Sequence, residues 1–194
     1  MGIEFELKFK ANSRQLQQLR EDLNGEEKIL EMRTAYYDTP TGQLSQRQYT
    51  LRRREENELS VCTFKMPTDG IGRREWETDC DRIEEGVEKL CKLGAPVELL
   101  ELTAEGLVNI CGARFTRVAK MVTLGECVVE IALDEGVLTG GGRQIPLCEM
   151  EVELKAGEQS ACVAFAKMLA QKYGFAPEVK SKFRRALDLY RGEV

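Results

Sequence analysis

The sequence predicts an α+β domain built on an antiparallel sheet of eight strands. Many segments alternate apolar and polar residues with a period of two, which is typical of half-buried strands. Segments with helical spacing of apolar residues lie between them, and glycine- and proline-containing turns separate the two kinds. The 194 residues include 42% hydrophobic and 31% charged side chains. This length and composition suit a single well-cored domain over residues 1–194.

The first element is a strand over residues 1–10, in which polar and apolar side chains alternate. One face carries charged residues, and the other carries Ile3, Phe5, Leu7 and Phe9. A helix should begin at Asn12, because an N-cap asparagine followed three residues later by Gln15 forms a capping-box-like arrangement. Gly25 ends this helix.

The remaining elements follow from the same two periods. Further strands are expected at residues 28–38, 48–56, 58–66, 72–80, 114–124, 126–134 and 145–155. Further helices are expected at 82–93, 98–109, 158–173 and 181–191. Turn signals at 38–42, 67–70 and 140–142 separate several of these segments.

Charge and hydropathy exclude several classes of protein. A formal net charge of -5 argues against nucleic acid as a partner, because such binding needs a basic surface. No apolar run approaches the ~18 residues of a membrane span, and acidic residues at positions 4 and 6 do not fit a signal peptide. We therefore expect no membrane association and a cytoplasmic location.

The cysteines and the absence of histidine limit the chemistry. Seven cysteines without a CxxC pair favour reduced, buried thiols over disulfides or zinc: Cys62, Cys80, Cys91, Cys111, Cys127, Cys148 and Cys162. The chain contains no histidine. His-based acid–base catalysis, His-containing triads and His-ligated metals are thereby excluded. Any catalysis must use carboxylates, lysine, arginine or a hard metal.

Several strands carry one apolar and one charged face. Basic residues share a face at Arg52 and Arg54, whereas acidic residues share a face at Glu149, Glu151 and Glu153. An open sheet with solvated, salt-bridged charges would explain this pattern. However, the charges segregate by strand, and eight strands can curl into a barrel with helices outside. A water-filled interior would then hold Mg²⁺ or Mn²⁺ on its carboxylates and a polyanion on its basic wall.

The same residues resemble the signature series of the CYTH, or triphosphate tunnel metalloenzyme, superfamily. The resemblance begins with the ExExK pattern of Glu4, Glu6 and Lys8 and continues in order to residue 182. It includes the segments at 36–40, 51–54, 63–65, 130–136, 149–153 and 181–182, together with Arg117. The YY-D-TP turn and the ALDEG and EMEVELK segments are most similar to bacterial inorganic triphosphatases. In those proteins a CHAD domain often follows, and we expect this chain to hold the CYTH part alone.

The resemblance implies an eight-stranded antiparallel tunnel with specific roles for its side chains. The metal-binding set would be Glu4, Glu6, Asp134, Glu151 and Glu153. The triphosphate would contact Lys8, Arg52, Arg54, Lys65, Arg117, Lys182 and Arg185. Of these, the residues expected to take part in catalysis are Lys8, Arg52, Arg54 and Lys65. Glu75, Glu77, Glu130 and Glu149 share faces with these groups and could support them.

The implied activity is Mg²⁺- or Mn²⁺-dependent hydrolysis of a linear triphosphate to diphosphate and phosphate. Thiamine triphosphatase, nucleoside triphosphatase and class IV adenylate cyclase are alternatives within the same superfamily. A non-catalytic polyphosphate-binding module is an alternative of a different class, although it would gain nothing from a buried acidic row. The expected partner is a small molecule containing a triphosphate.

Overall fold

A nine-stranded antiparallel sheet organises the protein, whose computed structural model describes residues 5–68 and 73–193. The strands are β1 (Glu6–Lys10), β2 (Lys28–Asp38), β3 (Thr50–Glu56), β4 (Leu59–Pro67), β5 (Arg73–Asp79), β6 (Val108–Leu124), β7 (Cys127–Gly140), β8 (Arg143–Ala156) and β9 (Ala176–Pro177). The helices are α1 (Ser13–Asp22), α2 (Gln43–Gln46), α3 (Ile83–Lys92), α4 (Glu98–Thr103), α5 (Gln159–Tyr173) and α6 (Lys182–Arg191). The strand order is β5-β4-β3-β2-β6-β7-β8-β1-β9.

The eight predicted strands are all present, with differences at their ends. β6 begins at Val108, six residues before its predicted start, and α4 is correspondingly shorter than expected. The short elements α2 and β9 were not predicted, because four residues and two residues, respectively, are too few to show a period. Asn12 and Gln15 form the expected capping box, with each side chain bonded to the other residue's backbone N–H.

Helices cover two parts of the outer face of the sheet. On β1, β7 and β8 this face packs against α1 and α5 around Leu19, Met150 and Leu169. On β4 and β5 it packs against α3 around Phe64 and Leu90. The predicted antiparallel sheet with helices outside is confirmed. No helix in the described parts of the chain has both the length and the apolar character needed to cross a bilayer.

Helix α6 differs from the other helices, because it lies on the concave inner face of the sheet. Ala186 and Leu187 of α6 pack with Met32, Phe115 and Leu138, which all belong to the inner face. The helix thus fills one part of the concave space with an apolar contact. The rest of the concave space remains available for charged groups.

The hydrogen-bonded ladder does not close on itself. Within the described residues β5 and β9 are the two edges of the sheet, and no backbone pairing joins them. Strand curvature nevertheless brings side chains from β1, β3, β4 and β8 around one common cavity. The result is a tunnel-like enclosure formed by a curled sheet. The expected barrel would have continuous hydrogen bonding around its circumference, whereas this sheet has two free edges within the described residues.

One prediction about the cysteines is wrong. Cys62 of β4 and Cys80, just after β5, are joined as a disulfide with a Cα–Cα distance of 5.8 Å. Gly86 of α3 packs on this pair, and a Cβ there would lie 2.6 Å from the Cys62 Sγ. Sequence spacing could not show this pairing, because it depends on the register between neighbouring strands. The other five cysteines are free, as expected.

Candidate functional site

The concave face encloses a charged cavity of about 230 Å³. Seven cationic side chains line it: Lys8, Arg52, Arg54, Lys65, Arg73, Arg117 and Lys182. Three carboxylates line it as well: Glu6, Glu151 and Glu153. These residues come from six strands and from the first residue of α6, so that distant parts of the chain meet in one space.

Strand alternation places the charges inside. Leu51 of β3 is buried in the outer core, which turns its neighbour Arg52 into the cavity. Met150 and Val152 of β8 are fully buried under α1 and α5, so Glu151 points inward. The apolar residues thus fix the direction of the charged ones. A shift of the strand register by one residue would turn the charged side chains into the apolar core under the helices.

The basic half of the cavity contains guanidinium groups that the protein satisfies incompletely. Among the residues that the structure describes, the buried Nε atoms of Arg52 and Arg54 find no hydrogen-bond partner. Their closest carboxylates across the sheet are 3.9 Å away, on Glu75 and Glu77 respectively. Burial lowers the pKa of Arg54, and the neighbouring charge of Arg52 lowers it further. An anion bound here would supply the missing acceptors and neutralise the repulsion.

Lys65 completes this half from the next strand. Its ammonium lies 2.7 Å from a carboxylate oxygen of Glu75. Glu75 therefore sits between Lys65 and Arg52 and holds both side chains on the cavity wall. Arg54 also pairs with Glu56 of its own strand through one nitrogen of its guanidinium group. The rest of that guanidinium group faces the cavity.

The acidic half is a closed ion-pair network. Oxygen atoms of Asp134, Glu149 and Glu151 lie within 4.8 Å of one another, which is spacing suitable for a metal. The ammonium of Lys182 lies among them, 2.7 Å from Asp134 and 2.9 Å from Glu151, and also contacts Glu149. Arg117 binds Asp134 through two hydrogen bonds of 2.7 Å. The cation in this cluster is thus provided by the protein itself.

The pKa values in the acidic half reflect this pairing. Burial alone would raise the pKa of Glu151, but the charges of Lys182 and Arg117 outweigh burial and lower it. Burial likewise opposes the charge of Lys182, yet the three surrounding carboxylates raise its pKa above the usual range. Both groups therefore stay ionised, whereas burial raises the pKa of the third carboxylate, Glu149, despite its contacts with Lys182 and Arg185.

A second carboxylate pair faces the cavity directly. Glu6 of β1 and Glu153 of β8 are direct neighbours across the two strands. Their side chains are 35% and 24% exposed, whereas that of Asp134 is fully buried. Each currently pairs with a lysine, Lys8 at 2.9 Å and Lys155 at 2.7 Å. These all-oxygen, histidine-free donors fit a hard divalent cation such as Mg²⁺ or Mn²⁺.

The structure brings most of the predicted site residues together. Of the predicted metal set, Glu4 lies outside the described residues and Asp134 stands behind the wall, bonded to Arg117. Arg185 also stands behind the wall, where it contacts Glu149 and lies 3.5 Å from Glu178. The remaining predicted residues line the cavity: Glu6, Lys8, Arg52, Arg54, Lys65, Arg117, Glu151, Glu153 and Lys182.

Other residues in the wall were missed as site residues. Arg73 lines the cavity and donates a hydrogen bond to the carbonyl of Gln48, which has a positive φ of 59°. The wall also contains Thr34, Tyr36, Thr50, Ser181 and Phe183. Arg73 could have been found, because it shares a strand face with Glu75. The others carry no charge signal that sequence reasoning could use.

A curled antiparallel sheet that encloses facing basic and acidic walls defines the architectural class of this domain. The sequence model of the CYTH domain matches residues 2–187, and the chain belongs to the CYTH family. An inorganic triphosphatase of Haemophilus influenzae is 27% identical over 137 residues. That alignment covers 69% of this chain but only 39% of the relative, so the chain spans well under half of the relative's length.

Solved structures show the same fold. The Hippeastrum protein HpAC1, for which a dominant triphosphatase activity is described, aligns with a TM-score of 0.66 at 20% identity, covering 98% of this chain and 96% of the other. The PH1819 protein of Pyrococcus horikoshii aligns with a TM-score of 0.64 at 24% identity, covering 98% and 99%. These likenesses establish the architecture.

Proposed function

We propose that this protein hydrolyses inorganic triphosphate to diphosphate and phosphate, in a reaction that depends on a divalent metal. The observation that carries the proposal is a pair of half-buried guanidinium groups on the cavity wall, Arg52 and Arg54, whose buried Nε atoms find no acceptor in the described parts of the chain. Buried donors of this kind call for an anionic ligand. The similarity to an inorganic triphosphatase supports the choice of anion.

Cavity size favours a compact substrate over a nucleotide. Sites that enclose drug-sized ligands have volumes of about 300–1,000 Å³. The cavity here measures about 230 Å³, and its wall is dominated by charged side chains. A triphosphate chain fits that space and chemistry, whereas the base and ribose of ATP would extend beyond it. Inorganic triphosphate is therefore preferred over ATP, thiamine triphosphate or a cyclase substrate.

The proposed roles follow from the two halves of the cavity. Arg52, Arg54 and Lys65 would hold the phosphate chain and neutralise charge on the leaving diphosphate when the bridging P–O bond breaks. Lys8 would contact the phosphate chain from β1. Arg117 and Lys182 would keep the carboxylates of β7 and β8 in place while bordering the substrate. Arg185 would position Glu149.

The carboxylates that face the cavity would hold the metal. Glu6 and Glu153 would be its main ligands, with Glu151 beside them and Asp134 supporting them through Arg117. Glu4, which lies outside the described residues, would be a further ligand. When bound, Mg²⁺ or Mn²⁺ supplies charge neutralisation to phosphate oxygens during transfer. The chain's contribution is to fix these oxygen donors opposite the basic wall.

A substrate panel tests the proposal. Phosphate release from tripolyphosphate, ATP and thiamine triphosphate is measured with Mg²⁺ or Mn²⁺, alongside formation of cyclic AMP. We expect the highest kcat/KM with tripolyphosphate and none without metal. More cyclic AMP than phosphate from ATP would contradict the proposal. Tight binding of tripolyphosphate without turnover would identify a binding module instead.

The metal assignment has its own test. We expect Glu6→Gln combined with Glu153→Gln to abolish metal-dependent turnover and to weaken Mn²⁺ binding measured by calorimetry. The exposed pair Glu101→Gln and Glu105→Gln changes net charge equally and serves as the control. Full activity in the first double variant would show that the metal lies elsewhere, with the buried cluster around Glu151 as the remaining location.

A further inference from the structure

A groove of about 270 Å³ lies on the outer face of the sheet, across β3, β2 and β6. Ala35 and Gly112 form its floor and are direct neighbours in the β2–β6 ladder. A Cβ at Gly112 would lie only 2.6 Å from the carbonyl oxygen of Thr34. The position therefore favours glycine, and no side chain at residue 112 fills the groove. Three guanidinium groups stand around this floor: Arg33, Arg53 and Arg114.

Two of these arginines oppose each other without a counterion. Arg33 and Arg114 are direct cross-strand partners, and both are exposed. Like charges directly opposite each other destabilise a sheet. Across residues 5–68 and 73–193, neither side chain forms an ion pair or a hydrogen bond. The fold therefore maintains a like-charge pair that no direct ion pair within the described chain neutralises.

The nearby carboxylate is already engaged. Glu55 is the β3 partner of Arg33, but it accepts a hydrogen bond of 2.6 Å from Arg53. Arg53 also donates to the backbone carbonyl of Asp81 at 3.1 Å. These contacts hold Arg53 at the edge of the groove. They leave the forks of Arg33 and Arg114 available to an external ligand.

The groove lies on an uncovered part of the outer face. Helices α1 and α5 cover the side formed by β7, β8 and β1, and α3 covers the side formed by β4 and β5. The cavity of the tunnel lies on the opposite face, because Arg52 and Thr34 alternate with Arg53 and Arg33 along their strands. Apart from Thr34, which lines both spaces, a ligand here would contact no residue that lines the tunnel cavity.

We propose that this groove is a second anion site that binds a free phosphate-class oxyanion, with diphosphate as the simplest good fit. Guanidinium forks pair with phosphate oxygens two at a time, and two phosphoryl groups offer enough oxygens for forks from both strands. The small floor allows close approach. Binding removes the repulsion between Arg33 and Arg114. This site does not depend on what the tunnel hydrolyses.

Calorimetry with diphosphate tests the proposal in a variant whose tunnel is disabled by Arg52→Gln and Arg54→Gln. We expect this background to bind one diphosphate in metal-free, low-salt buffer. Adding Arg33→Gln and Arg114→Gln should weaken the Kd at least tenfold. Adding Arg14→Gln and Lys167→Gln instead removes two exposed charges from α1 and α5 and should leave the Kd unchanged.

Thermal unfolding provides a readout that a purely structural role would not give. Diphosphate should raise the Tm of the background but not of the groove variant, which should be no less stable than the background without ligand. Arg33→Lys with Arg114→Lys keeps the charge and should bind with intermediate affinity. No binding by the background, or equal weakening by groove and control variants, would overturn the proposal. A phosphoserine peptide binding tenfold tighter than diphosphate would overturn the choice of a free ligand.

Discussion

The two halves of the tunnel treat their charges in opposite ways. In the acidic half, Lys182 and Arg117 compensate the carboxylates of Asp134 and Glu151 at distances of 2.6 to 2.9 Å. In the basic half, the guanidinium groups of Arg52 and Arg54 approach the β5 carboxylates only to 3.9 Å, and their buried Nε–H groups find no acceptor within residues 5–68 and 73–193. One half is paired closely within the protein, whereas the other keeps donors that a bound anion would satisfy. The difference predicts that the first half mainly supports stability and the second mainly supports function.

Removing the basic half should have the largest effect. We expect Arg52→Gln with Arg54→Gln to lower kcat/KM for tripolyphosphate by about a thousandfold or more, because each lost donor to developing charge costs about 10²–10³. The Tm should change little, since relief of the repulsion between the two guanidinium groups offsets the loss of their half-buried ion pairs with Glu56, Glu75 and Glu77. Phosphate-release kinetics and thermal unfolding measure both. A large loss of Tm would show that the basic half is structural too.

Opening the acidic half should mainly affect stability. Lys182→Met leaves the carboxylates of Asp134, Glu149 and Glu151 with too little positive charge and should lower the free energy of unfolding by about 3–5 kcal/mol at pH 7. Urea unfolding measures this loss. Lys182→Arg retains the charge and serves as the matched variant. A loss below about 1 kcal/mol, the range of surface pairs, would contradict the account of a closed network.

The same variant should reverse the pH dependence. The wild-type pKa of Glu151 is lowered, so its contribution to stability is present above the ordinary carboxyl pKa and is lost as the pH falls below it. Without Lys182 the crowded carboxylates should have raised pKa values, so the deficit should shrink as the pH falls toward 4–5. Unfolding free energies from pH 4 to 8 test this. A deficit constant over that range would count against it.

A buried charge outside the tunnel should have a smaller effect. Lys120 is only 5% exposed and donates hydrogen bonds to the carbonyls of Arg20 and Leu23, at the C-terminal end of α1. Lys120→Met should cost about 1–3 kcal/mol, because charge-assisted bonds to a helix end are lost. The kcat should not change. Altered kcat would mean that α1 influences the tunnel from the far side of the sheet.

An exposed ion pair should have the smallest effect. Arg47 and Glu98 lie 3.1 Å apart, but their side chains are 40% and 45% exposed. Arg47→Gln should change the free energy of unfolding by less than about 1 kcal/mol, since solvent and salt screen such pairs. Equilibrium unfolding at two salt concentrations measures it. An effect as large as that of Lys120→Met would show that exposure does not govern these contributions.

Much of the tunnel could be predicted because strand alternation is a local property. Once Leu51, Met150 and Val152 are assigned to the core, Arg52 and Glu151 must point the other way. The resemblance to the CYTH superfamily then supplied roles that alternation cannot supply. Neither source showed that Lys182 occupies the centre of the acidic cluster, because that contact joins α6 to β7 and β8 across a distance in sequence.

Three further features depended on tertiary structure. The apolar side of α6 packs inside the sheet, although its amphipathic pattern is the same as that of a helix packed outside. The bond between Cys62 and Cys80 depends on the approach of β4 and the end of β5. The opposition of Arg33 and Arg114 depends on the register of β2 against β6. None of these has a local signature.

The sequence by itself determined the antiparallel sheet, the inward direction of its charges and the family, because periods and short motifs are encoded by neighbouring residues. Tertiary structure decided which charges are neutralised by the protein and which are left for a ligand. Pairing between distant strands sets those distances, and an ion pair depends on distance and burial more than on residue type. The sequence predicted the same role, a triphosphate contact, for Lys8 and Lys182. Of these two lysines, only Lys182 is enclosed by three carboxylates.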